Sequence, residues 1–248
     1  MAITETLSPQ EQVDTASQLL LDRLQAAEHI ELLSYGSGKE VIRCKEEDGQ
    51  TFVVRKYNLD GFSEASPNSP PFSISLQRFN ELFEEIGIET ARHSVISVDE
   101  KSAVLIVEDL TNTIPVSEAS TEIKIKLATS LGKLFNKDHE YRPGLQMIMS
   151  DMIVVDQSQG VDIPKFIDLD PYIIPNMEYA ELDAAILQRM IPILWDEWCI
   201  RGEREEVLTA FEKSLAKNIF SDDTEPSAAM IMAFSTVNLM KSGIDPRH

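Results

Sequence analysis

The hydrophobic pattern changes period at His29, and the segment that begins there restricts the fold more than any other feature of the chain. The run IELLSYGSGKEVIRCKEEDGQTFVVRKYN holds three short apolar, β-branched or alternating segments, separated by Gly36-Ser37-Gly38 and by Glu47-Asp48-Gly49. Alternation at period two, broken by tight glycine-bearing connections, predicts three successive antiparallel strands.

Helical periodicity flanks this meander. Ser8-Pro9 reads as a cap with proline at the first helical position, and Val13, Leu19, Leu20 and Leu24 continue at helical spacing, which predicts a helix over residues 9–27. After a Ser/Pro/Gly-rich loop from Asp60 to Ser73, SLQRFNELFEEIG places Leu76, Phe79, Leu82, Phe83 and Ile86 on one helix face, with Gly87 as the stop. Two strands follow, HSVISV and AVLIVEDL, turned by Asp99-Glu100-Lys101, and Thr113 to Ser120 reads as loop. Ile123, Leu127, Leu131, Leu134 and Phe135 then form a helical stripe. DMIVVDQSQGVDIPKFIDLD is a further hairpin with its turn at Asp156 to Gly160. Residues 178–200, 203–219 and 225–241 supply the remaining helices.

This order is neither a βαβ alternation nor an all-helical array, so it argues against a Rossmann sheet and against a bundle. It predicts an α+β protein with an N-terminal helical extension (1–28), a β-rich N-lobe (29–112) and a mainly helical C-lobe (113–248). A cleft between two such lobes is a usual place for a ligand.

Charge narrows the partners. With 42 acidic and 22 basic side chains the formal charge is −20, which disfavours nucleic acid and an anionic membrane surface as partners. No run of about 18 apolar residues occurs, and MAITETLSPQEQ lacks a basic flank and an apolar core, so no secretory signal is expected. A cytoplasmic location is the expectation, with signal-less export left open. Two distant cysteines, Cys44 and Cys199, are too few for a disulfide framework.

Four features could carry chemistry. Gly36, Ser37 and Gly38 lie between two strands, where glycines let backbone N–H groups approach anionic oxygens; a plain hairpin turn is the alternative. Gly38-Lys39 is not a P-loop, because no glycine stands five residues earlier and Glu40 takes the Ser/Thr place. Lys56 closes the strand FVVRK and could reach the same phosphates, unless it is a surface lysine. Glu108-Asp109-Leu110 ends the strand AVLIV where the chain leaves the first lobe, so its backbone could meet an adenine edge while its carboxylates stay solvated. Asp168 and Asp170 follow the strand KFI. Paired carboxylates at a strand end suit Mg²⁺, and an acidic capping turn is the alternative.

In this order the features resemble the protein kinase-like fold, particularly its aminoglycoside and choline phosphotransferase branch. The resemblance spans roughly residues 29–175. It implies that Val53-Val54-Arg55-Lys56 matches the β3 V-A-I-K motif, with Lys56 on the ATP phosphates, and that Gly36 and Gly38 belong to the phosphate-covering loop. Glu108-Asp109-Leu110 would be the hinge, and Phe166-Ile167-Asp168-Leu169-Asp170 would lead into a D-F-G type motif, with Asp168 on Mg²⁺.

The chain departs from the family at the catalytic loop, H-x-D-x-x-x-x-N. Placing Met152 to Val155 on the family's strand puts Asp151 at the Asn position, as a metal ligand, and Gln146 at the base position, where it cannot accept a proton. The other register makes Asp151 the base and Asp156 the metal ligand, but it requires strand where Gln157 to Gln159 read as turn. Asp138 and His139 are a candidate displaced base or a structural cap. Glu81, with Gln77 one turn earlier, is the candidate partner of Lys56. Val41 takes the place of the third loop glycine.

The leading expectation is an ATP- and Mg²⁺-dependent phosphotransferase whose acceptor, a small molecule or a protein hydroxyl, is unidentified. A pseudokinase acting through a protein partner is the alternative, favoured by Gln146. An α+β interaction module is the third reading.

Overall fold

The computed structural model describes residue 18 and residues 22–36, 39–60, 71–98, 101–134, 141–143, 152–168, 173–175, 191, 196–199, 202–219 and 228–242. In chain order its elements are β1 (Glu28–Gly36), β2 (Lys39–Lys45), β3 (Thr51–Asn58), α1 (Phe72–Ile86), β4 (Glu89–Thr90), β5 (His93–Val98) and β6 (Ser102–Glu108). Then come β7 (Thr113–Pro115), α2 (Thr121–Lys133), β8 (Tyr141–Pro143), β9 (Ile153–Asp156), β10 (Ile163–Phe166), β11 (Ile173–Pro175), α3 (Arg204–Ile219) and α4 (Ala228–Lys241). The chain forms two compact units, one of residues 1–67 and 92–109, the other of residues 68–91 and 110–248.

The first unit is a five-stranded sheet in the order β1-β2-β3-β6-β5. Every pairing in it is antiparallel. The expected meander is present, and its second turn depends on Gly49, which adopts φ 90° while its N–H donates to the Glu46 carbonyl. One sheet face shows why the pattern reads at period two. Ile42 and Cys44 on β2, Phe52 and Val54 on β3, and Ile96 and Ile106 form a single buried cluster. Residues 22–26 are helical, as the N-terminal periodicity predicts, and Leu24 packs on that cluster. Arg23 lies 4.6 Å over the Phe52 ring and ion-pairs with Glu46 at 2.6 Å.

The second unit contains a four-stranded sheet, β4-β10-β9-β7, and a two-stranded one, β11-β8. Its core is built around three aromatic rings, Phe79 and Phe83 of α1 and Phe166 of β10, whose centroids lie 4.5–5.5 Å apart. α1 ends as expected at Gly87, which takes φ 83°. It begins at Phe72 rather than at Ser75, because Phe72 is itself buried and Pro71 is the capping residue. The segment Thr113 to Ser120, expected as loop, holds β7 and a short 3₁₀ turn (Val116–Glu118). Its strand is stabilised by pairing with β9, a partner remote in sequence. The predicted hairpin is β9-β10, with Gly160 at φ 74° in its turn. The short strands β4, β8 and β11 have no clear signal in the sequence. Trp198 is buried in this core.

α2 and α3 run side by side in the same direction. At their beginnings, Thr121 Oγ1 and Lys124 Nζ both donate to the Glu203 carboxylate, at 2.6 and 2.7 Å. Further along, Ser214 Oγ donates to the Thr129 carbonyl at 2.6 Å, beside Gly132.

Both cysteines are free and buried. Burial raises the Cys44 thiol above its ordinary range and pushes Cys199 up to about 11. The native protein should therefore show no fast reaction with a disulfide reagent at pH 8, and two equivalents after denaturation. A native thiol reacting within seconds would contradict this packing.

Candidate nucleotide site

β3 delivers Lys56 to the end of the row that buries Phe52 and Val54. Opposite it in the β2 register stands Glu40, and Lys56 Nζ lies 3.1 Å from Glu40 Oε2. With 43 % of its side chain exposed, the ammonium remains open to an anion that outcompetes one partly exposed carboxylate. Gly36 ends β1 and pairs with Lys39 at the start of β2, one strand away from β3. Ser37 and Gly38 lie outside the described residues.

The end of β6 differs from expectation. The carboxylates of Glu108 and Asp109 are not solvated. Arg92 grips Glu108 from its backbone N–H and from Nε, both at 2.9 Å, and the Glu108 N–H donates to the Arg92 carbonyl at 2.8 Å. Arg43 Nε stands 2.9 Å from Asp109 Oδ2, and the Asp109 side chain is only 3 % exposed. Neither atom has an aligned hydrogen-bond partner, so this contact is electrostatic. Arg43 on β2 and Arg92, just before β5, thus withdraw both carboxylates. Sequence reasoning missed Arg43, although a lone charge inside the apolar run VIRC was its signal. No hydrogen bond engages the peptide groups of Asp109 or Leu110 among the described residues.

In the second unit, β10 carries the chain to Asp168, which is half-buried. Two backbone bonds fix the strand's exit: Ala91 N–H donates to the Phe166 carbonyl at 2.9 Å and Ile167 N–H to the Met152 carbonyl at 2.8 Å. Asp156 is engaged in the hairpin itself, with Oδ2 3.0 Å from Lys165 Nζ and Oδ1 accepting from Ser158 N–H at 2.9 Å. A carboxylate so occupied is a poor metal ligand, and residues 157–160 form a turn, so the register that needs strand there is not the one the hairpin takes. Glu81 lies on the exposed side of α1, where it accepts from Gln77 at 2.8 Å and from Arg78 at 3.0 Å. Asp151, Asp170, Gln146, Asp138 and His139 lie outside the described residues. No group of three metal-ligating side chains occurs among the described residues.

The order of these elements, a five-stranded antiparallel sheet followed by a mainly helical unit with an inserted hairpin, defines the α+β class of the protein kinase-like fold. One solved structure bears this fold out. The chain is similar to WaaP in complex with acyl carrier protein, with a TM-score of 0.50 at 12% identity, over 90% of this chain and 92% of that one. It is also similar to an amicoumacin kinase in complex with AMP-PNP and Ca²⁺ (TM-score 0.45, 11% identity, 96% and 90% covered). A third similar structure is a Plasmodium vivax ethanolamine kinase (TM-score 0.45, 8% identity, 98% and 93% covered). No family model matches the chain, and no curated protein matches it in sequence.

Proposed function

We propose that this protein is an ATP- and Mg²⁺-dependent phosphotransferase acting on a hydroxyl of a small molecule or a protein. The observation that supports this reading best is the end of β6. Among the described residues, Asp109 and Leu110 keep their peptide groups unspent while both neighbouring carboxylates are held back by arginines, the arrangement a backbone needs to receive a purine edge.

Lys56 and the N–H groups of the Gly36-Ser37-Gly38 turn would hold phosphate oxygens, and Asp168 with Asp151 or Asp170 would hold Mg²⁺. The metal supplies charge neutralisation, and positioning does most of the remaining work in this kind of transfer. An acidic body suits a basic acceptor.

Calorimetric titration of Mg-ATP into the wild type, Lys56→Ala and Asp168→Ala tests the reading. The wild type should bind, and each variant should bind at least about tenfold more weakly. Absence of wild-type binding overturns the proposal. Binding without phosphoryl transfer to any acceptor would support the second reading, a pseudokinase, which Gln146 at the base position favours.

A further inference from the structure

Glu40 and Lys56 face each other across β2 and β3, where an apolar floor gives way to charge. The row behind them, Ile42 opposite Val54, is buried, whereas the side chains of Glu40 and Lys56 are 34 % and 43 % exposed. Glu40 Oε2 lies 3.1 Å from Lys56 Nζ, and no other carboxylate reaches that ammonium among the described residues. The pair stands at the Gly36 end of the sheet, since Gly36 is opposite Lys39, the residue before Glu40.

The surroundings leave the Glu40 charge to act on this face. Strand alternation assigns Lys39 and Arg55, the sequence neighbours of the pair, to the opposite face. Opposite Lys56 on the other side stands Val104 of β6, which packs on the apolar cluster of Ile42 and Val54. Apolar neighbours keep water from two sides of the pair and strengthen its field.

A carboxylate placed there acts on a bound phosphate in two opposed ways. It orients the ammonium, but an exposed ion pair holds its partner by at most about fivefold in an equilibrium constant. It also repels every negative charge brought to Lys56. Mg²⁺ cancels two of the negative charges of a triphosphate, and two unit charges at roughly 6 Å from a carboxylate amount to about tenfold in affinity even through water. Repulsion therefore outweighs orientation, and it falls on the nucleotide that lacks its metal.

We infer, on the phosphotransferase reading above, that Glu40 is a specificity-determining residue, which makes the site select metal-bound over metal-free nucleotide. Lys56 stays with Glu40 against a bare polyanion and passes to a phosphate chain whose charge Mg²⁺ has reduced.

Calorimetric titrations of the full chain with ATP, once in excess Mg²⁺ and once in EDTA at matched ionic strength, test this. The wild type should bind Mg-ATP at least about tenfold more tightly than metal-free ATP. Glu40→Gln should narrow that preference about fivefold or more, by binding metal-free ATP more tightly. Asp168→Ala should narrow it as well, but by weakening Mg-ATP. Glu40→Asp keeps the charge and should keep a preference near that of the wild type, a distinction that lost packing alone would not produce. Failure of the wild type to bind Mg-ATP overturns the phosphotransferase reading and the selectivity together. With Mg-ATP bound by the wild type, three results overturn the role of Glu40 alone: an unchanged preference in Glu40→Gln, weaker binding of metal-free ATP by Glu40→Gln, or a Glu40→Asp protein that matches Glu40→Gln.

Discussion

Asp156→Ala is expected to destabilise the protein by about 3–5 kcal/mol, the usual consequence of leaving one member of a buried ion pair without its partner. Lys165 is 3 % exposed, and no water shell awaits its ammonium once Asp156 Oδ2, at 3.0 Å, is removed. At this chain length the thermal midpoint should fall by roughly 6–20 °C. Asp156→Ala/Lys165→Met, which removes both charges, should recover most of the loss, because an apolar pair of similar volume substitutes for many buried ion pairs at little cost. A single variant melting within about 2 °C of the wild type would show that the pair is not buried in solution.

The same pair sets a pH dependence. Burial alone would raise the Asp156 carboxyl, but hydrogen bonds from Ser158 and the ammonium of Lys165 outweigh it, and the net shift is downward. A carboxyl depressed in the folded state contributes stability that is fully present above its unfolded value near 3.8 and is lost as pH falls through the lower folded value. Acid titration of Asp156→Asn/Lys165→Met should therefore show a shallower loss of stability below pH 4 than the wild type.

The second large effect concerns the crossing of α2 and α3. A Cβ built on Gly132 would stand 2.7 Å from Ser214 Cβ and 3.0 Å from the Leu215 backbone nitrogen. The latter is main chain and cannot rotate away. Gly132→Val should therefore cost about 3 kcal/mol in urea unfolding. Gly132→Ala should also destabilise, against the gain of about 1 kcal/mol expected for removing a glycine from a helix interior. Ser214→Gly should partly rescue the alanine variant, since it removes the nearer obstacle. A Gly132→Ala protein more stable than the wild type would mean that the helices sit further apart than described.

Legibility in the sequence depends on the range of the forces involved. The meander is readable because period two is imposed residue by residue, as Ile42 and Cys44 or Phe52 and Val54 show. The stop of α1 is readable because Gly87 acts through its own backbone. β7 is not readable, since three residues, Thr-Ile-Pro, become a strand only when β9 lies alongside. The state of the carboxylates at the end of β6 is hidden for a similar reason: Asp109 is neutralised by Arg43, on a strand far earlier in the chain, and Glu108 by Arg92. For the candidate site, Lys56 lies within β3, which runs two residues further than the sequence reading gives it, and Asp168 follows β10 by two residues. Their roles rest on the proposal and its titrations.

The strand order of the sheet also bears on how the protein is made. β6 lies between β3 and β5, yet it is the last of the five strands to be synthesised. Until Glu108 has left the ribosome, β3 has an unpaired outer edge running along Phe52, Val53 and Val54. Such a flat apolar edge is a template for intermolecular pairing. The nascent chain therefore passes through a window, some fifty residues long by its numbering, in which the meander exists without its closing strand. A chaperone that shields β3 during that interval would raise the soluble yield without touching the stability of the finished protein.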